Sequence, residues 1–340
     1  MPDPILALRD LTVEFDTEDG VVRAVTGVSY ELQRGEVLGI VGESGSGKSV
    51  SMLSVLGLIP QPPGRIVSGE ALFDGEDLLK LKGRRLREIR GGPVAMIFQD
   101  PMSSLNPVLT IGNQIGEAIR AHSPETSVSV ARARTIALLH LVGVPAPERR
   151  VDQYPHELSG GMRQRAMIAM AIANDPSVLV ADEPTTALDV TIQAQILEVL
   201  KAAQRETHAA IVLITHDLGL IAELADRVVV MYAGRVVEIG DVFSIFDAPR
   251  HPYTAGLLRS RARLDAKAGE LEPIPGQPPS LISLPPGCPF HPRCVQSGGR
   301  EICRTDVPEL RAVGAGAVHL SACHFAEELG RVVAGEEPIS

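Results

Sequence analysis

The chain has 340 residues, 44% hydrophobic and 22% charged, which are the proportions of a globular protein and exclude a disordered polymer. No stretch reaches the ~18 nearly uncharged apolar residues of a spanning helix, since the best candidate, Arg165 to Val180, is broken by Asn174-Asp175-Pro176. The formal net charge of −10, with the densest basic stretch (Lys80 to Arg90) interrupted by Leu and Glu, argues against nucleic acid as a ligand.

The N-terminus, Met1-Pro2-Asp3-Pro4-Ile5, lacks a basic segment followed by an apolar run, so a cytoplasmic location is expected. Ile5 to Phe15 and Val21 to Leu32 read as two strands around an Asp19-Gly20 turn, an antiparallel hairpin. Short, mostly β-branched apolar runs at Val37 to Val41, Val94 to Phe98, Val178 to Asp182 and Ile211 to Thr215 read as buried parallel strands. Each ends where a polar motif begins, and the carboxyl ends of such strands are where an α/β sheet holds its ligand.

The first motif is Gly42-Glu43-Ser44-Gly45-Ser46-Gly47-Lys48-Ser49, between the strand Val37 to Val41 and a helical run from about Val50. It satisfies G-x-x-x-x-G-K-[ST]: the glycines let backbone N–H groups turn inward around phosphates, and the helix that follows presents its positive end to them. Lys48 is expected to reach the β and γ phosphates and Ser49 to ligate Mg²⁺. A stretch rich in helix signals, about 111–173, reads as a helical subdomain. Within it Leu158-Ser159-Gly160-Gly161-Met162-Arg163-Gln164-Arg165 has a Ser-Gly-Gly turn opening a helix, a second place for an anion. Val178-Leu179-Val180-Ala181-Asp182-Glu183 ends a strand in two carboxylates: Asp182 to hold the magnesium shell, Glu183 to orient or deprotonate an attacking water.

From about Pro249 the texture changes, and prolines crowd the segment from Pro273 to Pro292 too densely for a continuous helix or central strand. All four cysteines lie in the last 60 or so residues, Cys288, Cys294, Cys303 and Cys323, in the pattern C-x5-C-x8-C-x19-C. Disulfides are disfavoured by the inferred cytoplasm, and structural zinc commonly uses closer pairs. His291, His319 and His324 lie nearby and are read as spare, at the surface or behind the ligands.

The phosphate loop, the acidic pair and the Ser-Gly-Gly turn, with Asp182 following Ser159 by 23 residues, together resemble the ATP-binding cassette (ABC) family from about Pro4 to Asp247. The resemblance implies a P-loop cassette with a mixed sheet core, an antiparallel β subdomain and a helical subdomain over residues 1–248, followed by an irregular Cys/Pro-rich extension over 249–340. It makes Ser159, Gly160 and Gly161 the signature turn that faces the ATP of a partner cassette. It implies roles for Gln99 at the metal and the lytic water and for His216 at the γ-phosphate, and for Ala187-Leu188-Asp189 in joining two subunits. Family members often stack adenine on an aromatic residue near the early hairpin, but the nearest candidate here, Phe15, lies upstream of the turn.

Gln99-Asp100-Pro101-Met102-Ser103-Ser104-Leu105-Asn106-Pro107, His251-Pro252-Tyr253-Thr254 and the segment Pro289 to Cys294 resemble the dipeptide and oligopeptide importer branch. That implies an ATPase at the cytoplasmic face of the membrane, working with a related but non-identical ATPase, two transmembrane permease subunits and an extracytoplasmic solute-binding protein. Nickel, glutathione or another small solute is the alternative cargo, and a soluble ABC ATPase acting on ribosomes or DNA is the alternative class. Several importer ATPases of this branch resemble this tail and carry a [4Fe–4S] cluster, which needs four cysteine thiolates. The expectation is therefore an iron–sulfur centre on the four cysteines, with Zn²⁺ or unligated thiols as alternatives, and a redox- or metal-sensing role for the tail as a further reading.

Overall fold

The computed structural model describes residues 3–185, 190–260, 273–314 and 319–329. The chain divides into two compact units: one is built from the N-terminal residues up to Leu6, Leu32–Val37 and Lys80–Ile214, the other from Ala7–Glu31, Leu38–Leu79 and the chain from Thr215 onward.

In the first unit the strands Val94–Ile97, Val178–Asp182 and Ala210–Ile214 pair side by side in parallel. Ile97 lies opposite Ala181, and Asp182 opposite Ile214. Every residue of Val178–Asp182 and Ala210–Ile214 is buried, which is why both read as unbroken apolar runs rather than alternating ones. Burying one such Val, Leu or Ile side chain contributes roughly 1.5–3 kcal/mol. The helices Ile111–His122, Val128–Leu141 and Gly160–Ala171 follow the expected helical stretch. Each starts at a hydroxyl that accepts a hydrogen bond from the first turn: Thr110 from Asn113 N–H, Ser127 from Val130 N–H, Ser159 from Met162 N–H.

In the second unit Val37–Val41 pairs in parallel with Arg227–Tyr232, which pairs antiparallel with Arg235–Asp241, so the sheet is mixed. Leu320–Ser321 then adds antiparallel to Arg235–Asp241, and Arg311–Ala312 to Leu320–Ser321. The tail expected to be irregular thus extends the sheet edge with two short strands and also carries the helix Pro252–Arg259. Two-residue strands are too short to leave a period in the sequence. Between Pro273 and Phe290 there is neither helix nor strand, in keeping with the prolines. A separate sheet orders its strands Gly20–Leu32, Leu6–Thr17, Gly64–Phe73, Glu76–Asp77. The hairpin is as expected, but its turn is Glu18-Asp19 rather than Asp19-Gly20. Gly20 opens the second strand, and Thr17 Oγ1 donates to its carbonyl at 2.7 Å.

Among the described residues no helix is long and apolar enough to cross a membrane.

Candidate functional site

The phosphate loop belongs to the second unit. It leaves the strand Val37–Val41 and enters the helix Lys48–Val55 through Gly47, whose φ of 97° is left-handed. A Cβ at Gly47 would collide with the Ala24 carbonyl oxygen, and one at Gly42 with that of Met231, so the cradle is one that side chains would fill. Ser46 accepts at its carbonyl from Gly234 N–H (3.1 Å), while the Ser46 hydroxyl is buried with no hydrogen-bond partner. Lys48 is 5% exposed, and its Nζ donates to the carbonyls of Gly42 (2.7 Å) and Glu43 (3.0 Å). Ser44 and Gly45 are exposed, and Ser49 is half-buried at the start of the helix. A buried orphan hydroxyl, a buried ammonium and a glycine cradle fit a phosphate chain.

Thr215, which follows the strand Ala210–Ile214, donates its N–H to Ile40 O at 3.2 Å, and His216 beside it is exposed. Asp217 then caps the helix Leu218–Leu224 by accepting from Gly219 N–H at 2.7 Å.

The carboxylate residues belong to the first unit. Asp182 is buried at the strand end, and Glu183 is half-buried with φ 46°, a left-handed conformation uncommon for a residue with a side chain. Its N–H donates to Ile214 O at 2.8 Å. Gln99 Nε2 donates to Glu183 Oε2 at 3.0 Å, so two residues expected at the lytic water lie side by side. Ser159 and Gly160 are exposed at the N-terminus of Gly160–Ala171, and a Cβ on Gly161 would press on Ile192 Cγ2 at 3.2 Å. Ala187, Leu188 and Asp189 lie outside the described residues.

The four cysteines, in the second unit, are free thiols that line one small cavity of about 20 Å³ together with Phe290 and Phe325. Cys288 N–H donates to Cys303 O at 3.0 Å, stitching two of their loops together. Burial pushes the Cys288 thiol up to about 11 and the Cys323 thiol up to about 12, and the neighbouring cysteines add to both shifts. Among the described residues no group of three or more His, Cys, Asp or Glu side chains is arranged to hold a metal ion. The expectation of a metal centre gains the clustering of the thiols but no formed site. His291 and His324 hydrogen-bond the carbonyls of Cys288 and Asp306, and His319 Nε2 donates to Glu238.

Sequence reading missed what the tail does to the phosphate loop. Tyr253 Oη accepts from Glu43 N–H at 2.7 Å, and Arg293 forks onto the Glu43 carboxylate at 2.7 and 3.0 Å. The carboxylate raises the Arg293 pKa further, so the guanidinium is charged at any working pH. Tyr253 lies in the helix Pro252–Arg259, capped by His251, whose Nδ1 accepts from Tyr253 N–H at 3.1 Å. Burial pushes His251 down to about 3, which keeps the imidazole neutral and able to accept. The adjoining backbone is anchored by Glu238, fully buried, which accepts from Arg250 N–H and His251 N–H as well as from His319. The only sequence signal for these roles was the branch motif around Tyr253 and an arginine beside Cys294.

The ABC transporter family profile matches residues 25–186, and that of the oligopeptide/dipeptide transporter C-terminal region matches residues 237–303. The chain is 54% identical over 292 residues to the dipeptide transport ATP-binding protein DppD of Bacillus subtilis strain 168, covering 86% of this chain and 87% of that one. It is 51% identical over 321 residues to the DppD of Escherichia coli strain K12, covering 94% and 96%. Among solved structures, the dimeric post-hydrolysis state of the ATP-binding cassette MJ0796 bound to ADP and Pi matches with a TM-score of 0.63 at 27% identity, covering 70% of this chain and 98% of that one.

Proposed function

Because the chain belongs to the ABC transporter family, among the dipeptide and oligopeptide transport ATP-binding proteins, we propose that it hydrolyses ATP to energise peptide uptake by a membrane importer. The observation that carries the reading is the pairing of Gln99 with Glu183 at the ends of two parallel strands, where a water could be oriented. Gly42 to Ser49 bind the phosphates, with Lys48 supplying the charge. Glu183 takes the proton of the attacking water as its oxygen bonds to the γ-phosphorus and the bond to the β-phosphate oxygen breaks, giving ADP and phosphate. Gln99 holds the Glu183 carboxylate in place and His216 contacts the γ-phosphate. Ser49, Asp182 and Gln99 would hold Mg²⁺, which supplies charge neutralisation on the phosphates.

The exposed Ser159-Gly160 turn is open to a ligand, which supports a role toward the ATP of a second cassette; by the branch resemblance that cassette is a non-identical relative. On the same reading the chain sits at the cytoplasmic face of the membrane with two permease subunits and an extracytoplasmic binding protein. Hydrolysis measured with the partner ATPase, and uptake of di- and oligopeptides, nickel and glutathione in a strain lacking this subunit, test the proposal. Unchanged peptide uptake with loss of another solute overturns the peptide assignment.

For the tail, the gathering of four thiols on one cavity supports an iron–sulfur centre held by Cys288, Cys294, Cys303 and Cys323. The donors fit the cluster in kind and number, while among the described residues no group is arranged to hold a metal ion, so Zn²⁺ stays the alternative. Anaerobic purification followed by iron and zinc analysis decides it: iron lost on Cys→Ser substitution supports the cluster, and colourless protein with one zinc per chain rejects it.

A further inference from the structure

Glu43 is an acidic residue inside a loop that reads as a phosphate cradle, and a bare carboxylate there would repel a polyanion. All three of its polar groups are held. The carbonyl accepts from Lys48 Nζ at 3.0 Å, the N–H donates to Tyr253 Oη at 2.7 Å, and the carboxylate takes both arms of Arg293. The carbonyl also accepts from Ser46 N–H at 3.2 Å, so two of the four partners come from the tail, 210 and 250 positions away.

Arg293 is itself fixed. Its side chain is 5% exposed, against 26% for Glu43, its Nε donates to Pro275 O at 2.9 Å and its Nη1 to Tyr232 Oη at 3.3 Å. The rings of Tyr232, Tyr253 and Phe290 pack against one another with centroids 4.6 to 5.5 Å apart. A forked arginine spends its donors on one geometry, so it sets both the charge and the position of its partner.

We propose that Arg293 and Tyr253 are positioning residues for nucleotide binding: they lock Glu43, and through it the phosphate loop, and Arg293 cancels the carboxylate charge that the loop itself carries. The proposal rests on the ATP reading of the loop. It also makes the cysteine-bearing tail part of the nucleotide site, because Arg293 sits in the turn His291–Arg293 between Cys288 and Cys294. Cys294 N–H donates to His291 O at 3.2 Å and Arg293 N–H to Phe290 O at 3.0 Å, so the shape of that loop decides where the guanidinium stands.

The test is calorimetric titration of the full chain with ATP, at low and high salt, for wild type, Arg293→Gln, Tyr253→Phe, Glu43→Gln/Arg293→Gln and Lys48→Ala. Arg293→Gln is expected to weaken binding about tenfold or more, with the deficit shrinking at high salt. Tyr253→Phe, which keeps the ring and removes only the acceptor, weakens it about threefold. Adding Glu43→Gln to Arg293→Gln recovers part of the loss, because the uncompensated carboxylate is gone; a purely structural role for Arg293 would give no recovery and no salt dependence. Wild-type affinity in both single variants, or a double variant no better than Arg293→Gln, overturns the proposal. Where circular dichroism shows Arg293→Gln unfolded, Tyr253→Phe decides. Lys48→Ala separates the two levels: wild-type chain that does not bind ATP, or a Lys48 variant that binds normally, removes the ATP reading and the proposal with it. With that control behaving, only the positioning role is at stake.

Discussion

Gln99 Nε2 reaches Glu183 Oε2 across 3.0 Å because Ile97 lies opposite Ala181 in the register of their parallel strands, and each residue stands two positions beyond that pair. Glu183→Gln preserves the size of the side chain but removes the proton acceptor. Hydrolysis by the assembled complex should fall about 10²- to 10⁴-fold while ATP still binds. Steady-state phosphate release beside equilibrium ATP binding checks this, and near-normal turnover would remove Glu183 from the catalytic role.

Gly47→Ala places a methyl group against the Ala24 carbonyl at a φ of 97°. It should destabilise the protein by about 1–3 kcal/mol and weaken ATP binding as the loop shifts. Gly45→Ala is the comparison: its φ of 77° is also left-handed, but the new Cβ meets nothing within 4 Å, so the cost should be smaller, about 1–2 kcal/mol. Urea unfolding of the two variants ranks them, and equal costs would show that steric fit at Gly47 is unimportant.

Ser159 has two possible duties, as a helix cap and as part of an anion-binding turn. Ser159→Ala removes the acceptor of Met162 N–H and should cost about 1 kcal/mol in stability. If the turn serves the partner's nucleotide, hydrolysis by the complex drops much further than ATP binding by the isolated chain. Parallel losses in the two assays would leave only the cap.

Glu238 joins three donors in a fully buried position: Arg250 N–H, His251 N–H and His319 Nε2. Glu238→Ala leaves them unpaired and should lower stability by about 3–5 kcal/mol, seen as a lower urea midpoint. A loss below about 1 kcal/mol would mean that the tail is anchored by packing alone.

Much of the site was legible in the linear chain because it is local. The loop from Gly42 to Ser49 needs glycine at fixed positions for steric reasons, a helix start needs a hydroxyl at Ser159, and a strand buried on both faces must be as apolar as Val178–Asp182. Each constraint acts over a few residues and leaves its mark on composition and spacing. The early hairpin was legible too, although its turn falls one residue earlier than the Asp19-Gly20 pair, because Gly20 is used to enter the second strand.

Contacts across long stretches of chain were decided only by folding. Gln99 and Glu183 were both expected at the lytic water, but their direct hydrogen bond depends on strand register, and register is a property of two strands together. The four cysteines could be counted in sequence, but that they surround one cavity depends on the turns between them. The branch motif marked Tyr253, but the grip of Arg293 and Tyr253 on Glu43 could not be read from it, since bonds spanning 250 and 210 positions exist only once the tail has packed. A proline-rich segment without periodicity reads only as an irregular extension. Here it delivers a buried guanidinium to the phosphate loop, because the aromatic packing of Tyr232, Tyr253 and Phe290 holds it where hydrogen-bonded secondary structure cannot.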